Sequence, residues 1–352
     1  MCIRDRLEAN SSQLKANLPE LPEVHTTVTH LNRLISGLVI SDVWTDYFSP
    51  VYKGKPQIKN EKYFELFKKD VAGAKIISVT RRAKNILINL RNPKAKLGQS
   101  KKTILIHMKM TGHLLFGQYQ KVDAISNSGI NKKWKNEIWI PNEKENSPLW
   151  DPFNRFVHLV FSFSNPKAKL GHIGTHLALS DVRKFAKVTL ENTEGIMETK
   201  HLHTLGPEPL EKTFTFKKFS ERLFLKPEGK IKQVLMDQTI ISGIGNIYSD
   251  EILWRGGVHP TEKVKNIPLT KIRPLFKALK HTLSKGIRLG GDSTSDYRDP
   301  SGNPGKFHGK HMAYQRKNVP CLKKGCGGIM KRIIVGGRSA HFCDIHQELF
   351  SK

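Results

Sequence analysis

Between residues 37 and 193 the apolar residues of this chain arrive in short runs: Leu38–Trp44, Ile76–Thr80, Asn85–Leu90, Thr103–Met108, Leu114–Phe116 and His158–Phe161. Each run reads as a strand. From about residue 200 the spacing changes. Phe214–Leu225, Ile231–Met236, Ile247–Trp254 and Leu269–Ile287 carry apolar residues at helical intervals. Strands followed by helices predict an α+β fold, with an N-terminal two-sheet β-sandwich ahead of a helical domain. The 352 residues suffice for two or three domains. The expected boundaries are 1–18 as a leader, 19–195 as the sandwich with flanking helices, 196–310 as the helical domain, and 311–352 as a small terminal module.

Four stretches fall outside this scheme. Residues 117–155 are polar and Asn/Lys-rich and are expected to form a long exposed loop. The heptapeptide NPKAKLG occurs at 92–98 and again at 165–171. Both copies follow a strand and open with Asn-Pro, so both read as basic hairpin turns. Residues 290–310 are rich in Gly, Ser, Asp and Pro and are expected to be a mobile loop.

Charge narrows the partner. Lysine and arginine outnumber aspartate and glutamate 59 to 31, a formal +28. Such an excess points to a polyanion, and nucleic acid is the commonest. No apolar run approaches a membrane span, and residues 1–18 lack the apolar core of a secretory signal. Of the four cysteines, Cys321, Cys326 and Cys343 cluster beside histidines near the C-terminus. That is metal spacing and not a disulfide framework, which predicts a reducing intracellular location. Cys321-x4-Cys326-x16-Cys343-x2-His346 offers four donors for one tetrahedral Zn2+, with His341 or Asp344 as alternatives to His346. A structural zinc can fold a segment too small for its own core.

Near the start, Pro19-Glu20-Leu21-Pro22-Glu23-Val24 precedes apolar residues at 24, 28, 31, 34 and 35. Pro22 suits a helix's first turn and Glu23 its positive end. Further on, Gly243-Ile244-Gly245-Asn246 stands just before a helix and should bare N–H groups to an anion. Arg81-Arg82-Ala83-Lys84 lies between two apolar strands. Gly336-Gly337-Arg338 lies between the cysteine pairs, where glycines allow close approach and an arginine can fork onto phosphate.

Together these motifs resemble the formamidopyrimidine-DNA glycosylase family across residues 19–346, outside 117–155. The resemblance implies a helix–two-turn–helix module, a zinc-finger hairpin, and a bifunctional glycosylase and abasic-site lyase. Its substrate would be double-stranded DNA carrying oxidised purines, such as formamidopyrimidines and 8-oxoguanine. In that family the proline opens the mature chain and its secondary amine is the nucleophile. The resemblance therefore assigns Pro19 as nucleophile, Glu20 to proton management, Lys84 as proton donor and Arg338 to the second elimination. His107–Leu114 resembles the loop carrying an intercalating methionine, here Met110. Asp181-Val182-Arg183-Lys184-Phe185 resembles the Asp-Pro-Arg-Arg-Phe loop, with valine replacing proline. A methionine, an arginine and an aromatic ring are suitable plugs for the hole left by an extruded base. His158, Lys232 and Asn246 complete the implied DNA contacts. Residues 290–307, with Tyr314, Arg316 and Lys317, match a lesion-capping loop.

The family finger carries four cysteines with two residues inside each pair, so this chain departs in its first spacing and in His346. The implied protein acts as a monomer in the bacterial cytoplasm, on the nucleoid. Leu18 stands where the family has its initiator methionine, so the product is expected to begin at codon 18, lose that residue and free Pro19. The alternatives are an endonuclease VIII-type enzyme for oxidised pyrimidines, which PELPEV disfavours, a non-catalytic lesion-binding protein that retains its leader, and a plain zinc-finger DNA-binding protein.

Overall fold

A computed structural model describes residues 18–93, 101–123, 137–164 and 174–350. Helix α1 (Leu21–Ile35) buries Leu21, Val24, Val28, Leu31 and Ile35, one stripe at helical spacing. It packs against strand β2 on one side and the long helix α7 on the other. The chain start thus sits between the two halves of the molecule.

Strands β1 (Val39–Thr45), β2 (Lys75–Arg82), β3 (Asn85–Arg91), β4 (Lys101–His107), β5 (His113–Asp123), β6 (Glu137–Pro141), β7 (Val157–Ser164), β8 (Thr175–Ser180) and β9 (Lys187–Asn192) form one antiparallel sheet. Its order is β6-β5-β8-β7-β1-β2-β3-β4-β9. β1 and β2 share only the pair Val39↔Lys75. The sheet folds there, and its halves are the two layers of the sandwich. Val43, Phe161 and Leu179 of one layer share a core with Ile86, Ile104 and Val188 of the other. Helix α2 (Glu61–Val71) closes that core with Phe64, Phe67 and Val71. This helix is absent from the sequence-based scheme.

The region expected as one exposed loop, 117–155, is instead structured where it is described. β5 continues to Asp123, β6 pairs with it, and two short 3-10 turns follow at Ser147–Trp150 and Pro152–Arg155. Hydrogen bonding of β6 to β5 gives those polar residues a ladder that their composition does not advertise. Apart from Asn92 and Pro93, both NPKAKLG copies lie outside the described residues.

After β9 come helices α3 (Lys200–His203), α4 (Phe216–Leu223), α5 (Ile231–Met236), α6 (Asn246–Gly256) and α7 (Leu269–Arg288). They surround a second core that includes Phe219, Leu235, Ile252 and Leu279. Strands β10 (Met330–Val335) and β11 (Arg338–Cys343) form the terminal hairpin, which packs on α6.

Candidate active site

Two carboxylates begin the site. Glu20 caps α1, and its backbone N–H donates to Glu23 Oε2 at 2.8 Å. The Glu20 carboxylate turns to the start of α6. It accepts the N–H of Gly245 at 2.5 Å and of Ile247 at 2.8 Å. These are donors a helix leaves unpaired at its positive end. A Cβ at Gly245 would lie 2.5 Å from Glu20 Cδ, so only glycine leaves room. Glu23 Oε1 receives the Tyr248 hydroxyl at 2.7 Å and the Asp292 N–H at 2.6 Å.

Burial dominates the electrostatics here. It raises the Glu20 carboxyl above its ordinary range, opposed by the Lys84 charge and the α6 N–H groups. Burial, reinforced by the Glu20 charge, lifts Glu23 to about 8. Lys84 is pulled below the usual lysine range by burial, with Glu20 and Glu23 opposing. Burial thus moves all three groups toward their neutral forms.

Lys84 enters from the turn between β2 and β3. Its Nζ donates to the Ile244 carbonyl at 2.9 Å. The turn is held from behind by Glu208, which accepts from Arg81 at 2.7 Å, Arg82 at 3.2 Å and the Ala83 N–H at 2.5 Å. Arg81 and Arg82 therefore brace the sandwich against the helical half, and Lys84 faces the cleft. From the far side comes exposed Arg338, at the tip of the hairpin, where Gly336 and Gly337 take φ of 56° and 74°. Leu18, Glu20, Lys84, Asn246, Arg338 and Ser339 line one cleft of about 450 Å3. Pro19 is buried between the first two of these. Asn246 Nδ2 donates to Ser339 Oγ at 3.3 Å, and its side-chain oxygen has no partner among the described residues.

A second cluster lies on the sandwich. Met110 Sδ receives a hydrogen bond from Arg183 Nη1 at 3.4 Å, and the Arg183 guanidinium lies 4.6 Å from the ring centroid of exposed Phe185. Buried Asp181 organises both loops by accepting from the Thr111 hydroxyl, from Tyr47 at 2.9 Å and from the Ala186 N–H at 2.7 Å. His158 sits nearby on β7, with Nδ1 2.8 Å from Asp46, which also takes Lys184 at 3.2 Å. It is not among the described residues lining the cleft.

At the base of the hairpin, one donor atom from each of Cys321, Cys326, Cys343 and His346 lies within 4.8 Å of the others. His346 Nε2 is 3.0 Å from the Trp254 carbonyl, a partner that favours a proton on Nε2 and leaves Nδ1 toward the thiols. The alternatives are engaged elsewhere: His341 Nδ1 with Asp250 at 3.0 Å, and Asp344 with Lys331. The set fits a tetrahedral metal of zinc type.

Family models match residues 18–188, as the formamidopyrimidine-DNA glycosylase N-terminal domain, and residues 205–298, as the formamidopyrimidine-DNA glycosylase H2TH domain. The chain belongs to the formamidopyrimidine-DNA glycosylase family. A formamidopyrimidine-DNA glycosylase of Herpetosiphon aurantiacus is 32% identical over 94% of this chain and 100% of its own. One from Bacillus cereus is 30% identical over 94% and 99%. Among solved structures, Lactococcus lactis Fpg in complex with abasic-site DNA matches with a TM-score of 0.70 and 27% identity, over 94% of this chain and 99% of its own. A Lactococcus lactis Fpg mutant with Fapy-dG DNA gives 0.71 and 27%, over 94% and 100%.

Within this formamidopyrimidine-DNA glycosylase fold, two expectations need correction. Lys232 is fully buried, 2.5 Å from Asp250 and 3.0 Å from Ser249 Oγ. It is an internal ion pair and not a DNA contact, because no phosphate could reach its ammonium. The second is the anion site expected at Gly243–Gly245: the N–H groups of Gly245 and Ile247 are taken by the chain's own Glu20 carboxylate, and that of Gly243 by Gln238. The sequence reading also passed over Glu208, Tyr248, Asp250 and Gln238, whose side chain bridges the Ile244 carbonyl at 2.7 Å and the Gly243 N–H at 2.9 Å. Glu208, Tyr248 and Asp250 each act on a partner distant in the chain, so nothing in their immediate neighbours marks them, whereas Gln238 acts locally, on the turn five and six residues ahead of it.

Proposed function

We propose that this chain, in a form that begins at Pro19, is a DNA glycosylase and abasic-site lyase for oxidised purines. The carrying observation is the cleft in which Leu18, Glu20, Lys84, Asn246 and Arg338 meet. If the chain is cut after Leu18, the residue exposed at the cleft wall is Pro19 with a free secondary amine. The Lactococcus lactis complexes with Fapy-dG and abasic-site DNA fit the same substrate class.

The chemistry follows from the groups present. The proline nitrogen attacks C1′ of a flipped nucleotide, and the C1′–base bond breaks. Lys84, held beside Glu20, supplies a proton to the departing side. The C1′–O4′ bond then breaks, with O4′ taking a proton from the Glu20 carboxyl, and the ring-opened sugar is left with an iminium at C1′, whose positive charge acidifies C2′. A base of the Glu20 type takes that proton, and the 3′ phosphate leaves. A second proton loss expels the 5′ phosphate, with Arg338 placed to neutralise it. Met110, Arg183 and Phe185 fill the vacated stack. Residues Cys321, Cys326, Cys343 and His346 would hold one Zn2+, which supplies a fixed base for the hairpin and takes no part in the bond changes.

One observation favours a second reading. Behind Leu18 the Pro19 nitrogen is an amide with no usable lone pair, so an unprocessed chain would bind lesions without cutting them. Intact mass of natively expressed protein separates the two. A product starting at Pro19 is expected, together with a covalent adduct to 8-oxoguanine duplex under borohydride. A product that keeps residues 1–18 and still cleaves DNA would overturn the proline mechanism.

A further inference from the structure

Residues 291–307 form a loop with a closed neck. Lys306 N–H donates to the Leu289 carbonyl at 2.7 Å, Phe307 N–H to Gly291 at 3.0 Å, and Asp292 bridges Lys306. The neck rests on Glu23, whose carboxyl accepts the Asp292 N–H at 2.6 Å and whose backbone carbonyl accepts the Tyr297 hydroxyl at 3.0 Å. The far side of the loop docks on the sandwich. Its landing place is the 3-10 pair at 147–155, in the stretch that falls outside the sequence resemblance.

The grip there is specific. Arg298 donates through Nε to Asp151 Oδ2 at 3.1 Å and through Nη2 to Oδ1 at 3.3 Å, a forked pair. Its guanidinium also covers the Phe153 ring at 4.6 Å, while Nη1 closes on the loop's own Ser295 and Tyr297 carbonyls at 3.0 and 2.9 Å. The Arg298 side chain is 7% exposed, so the pair is poorly screened. Phe116 N–H donates to the Pro300 carbonyl at 2.7 Å. Gly302, at φ +85°, lies so close that a Cβ would come within 2.5 Å of the Pro148 carbonyl oxygen.

The landing place is itself tied to the other DNA-facing cluster. Asn154 Oδ1 meets His113 Nε2 at 2.9 Å, the Ser180 hydroxyl donates to the Phe153 carbonyl at 3.1 Å, and Ser180 and His113 adjoin Asp181 and Thr111. One short segment therefore supports the closed loop on one side and the Met110–Arg183–Phe185 cluster on the other.

We propose that Asp151 is a positioning residue for substrate choice. By gripping Arg298 it holds the 291–307 loop closed over Glu23 in the first turn of α1. Excision of a base-bearing lesion depends on that closure, and strand cleavage at a base-free site does not. The inference rests on the glycosylase reading above, since a base enclosed by the loop is what closure would select.

The test compares Asp151→Asn and Arg298→Gln with wild-type protein, natively expressed and metal-loaded. Amide hydrogen exchange across 293–303 should accelerate at least tenfold in each variant, and the double variant should be no worse than either single one. Single-turnover excision from an 8-oxoguanine duplex should fall at least tenfold, and cleavage of an abasic-site duplex should stay within twofold. Arg298→Gln covers the case in which Asp151→Asn fails to fold, because Asp151 also accepts the Phe153 N–H of its own turn at 2.9 Å. Unchanged exchange in 293–303, or equal losses on both substrates, would overturn the proposal. If wild-type protein acts on neither duplex, the glycosylase reading has failed, and the exchange measurement still decides whether the clamp exists.

Discussion

Replacing Gly245 by alanine tests the seat of Glu20 directly. Gly245 has φ −134°, a value any residue adopts, so the substitution carries no backbone strain. Its cost is room: the new methyl would stand 2.5 Å from Glu20 Cδ and 2.6 Å from Oε1. Either the carboxylate leaves or α6 shifts, and both break the bonds from Gly245 and Ile247. Hydrogen bonds to a charged acceptor are worth about 1.5–3 kcal/mol each. Water entering the cleft returns part of that, leaving a net loss of about 2–4 kcal/mol. At 1.36 kcal/mol per tenfold change, the covalent step should slow roughly 30- to 1,000-fold. The assay is single-turnover borohydride trapping on abasic-site DNA, using protein that begins at Pro19. Thermal melting should drop as well, since the folded state loses the same two bonds, so trapping is run well below the transition of the variant. Trapping within threefold of wild type would show that Glu20 does not work from the end of α6.

Four more outcomes are expected. Glu23 is raised to about 8 by burial, so its neutral form is the one the fold accepts. Stability from this group is full below the unfolded carboxyl range and is lost as pH rises through 8, so the melting temperature of Glu23→Gln should depend less on pH between 5 and 8. Lys232→Met strands the buried Asp250 carboxylate and should cost about 3–5 kcal/mol in unfolding free energy. The salt slope of DNA binding should remain, whereas loss of a true phosphate contact would reduce it by about 0.9. Metal analysis should find one zinc per chain, and a strong chelator should lower the melting temperature, with Cys343→Ser mimicking it and Asp344→Ala leaving the content intact. Arg338→Ala should change stability by no more than about 0.5 kcal/mol, since the side chain is exposed. It should still make the product of the first elimination accumulate on a sequencing gel.

Much of the fold was legible because its signals are local. The strand runs and the helices after 200 follow from period alone, and the Cys/His cluster follows from spacing along one hairpin. Helix α2 carried the same kind of signal in Phe64, Phe67 and Val71, but neighbouring strands masked it. What escaped depends on partners far apart in the chain. The GIGN turn advertised an anion site, yet its occupant is a carboxylate 225 residues away. Lys232 read as a surface cation because nothing near it reveals Asp250 against its ammonium. Arg81 and Arg82 read as a basic turn because Glu208, which they grip, belongs to the other half of the molecule.

The terminal hairpin acts as a lever. Its pivot is the Cys/His knot at Cys343, and its working end is Arg338, five residues along the same strand, or about 17 Å at 3.4 Å per residue. A tilt of about 5° at the knot would swing the guanidinium by roughly 1.5 Å over that arm. Misplacement of about 1 Å is enough to cost around a hundredfold in rate. The Cys321, Cys326, Cys343 and His346 cluster therefore sits where small differences are amplified, and under the proposed lyase reading the tuning of strand scission can be sought at the pivot as well as in the cleft.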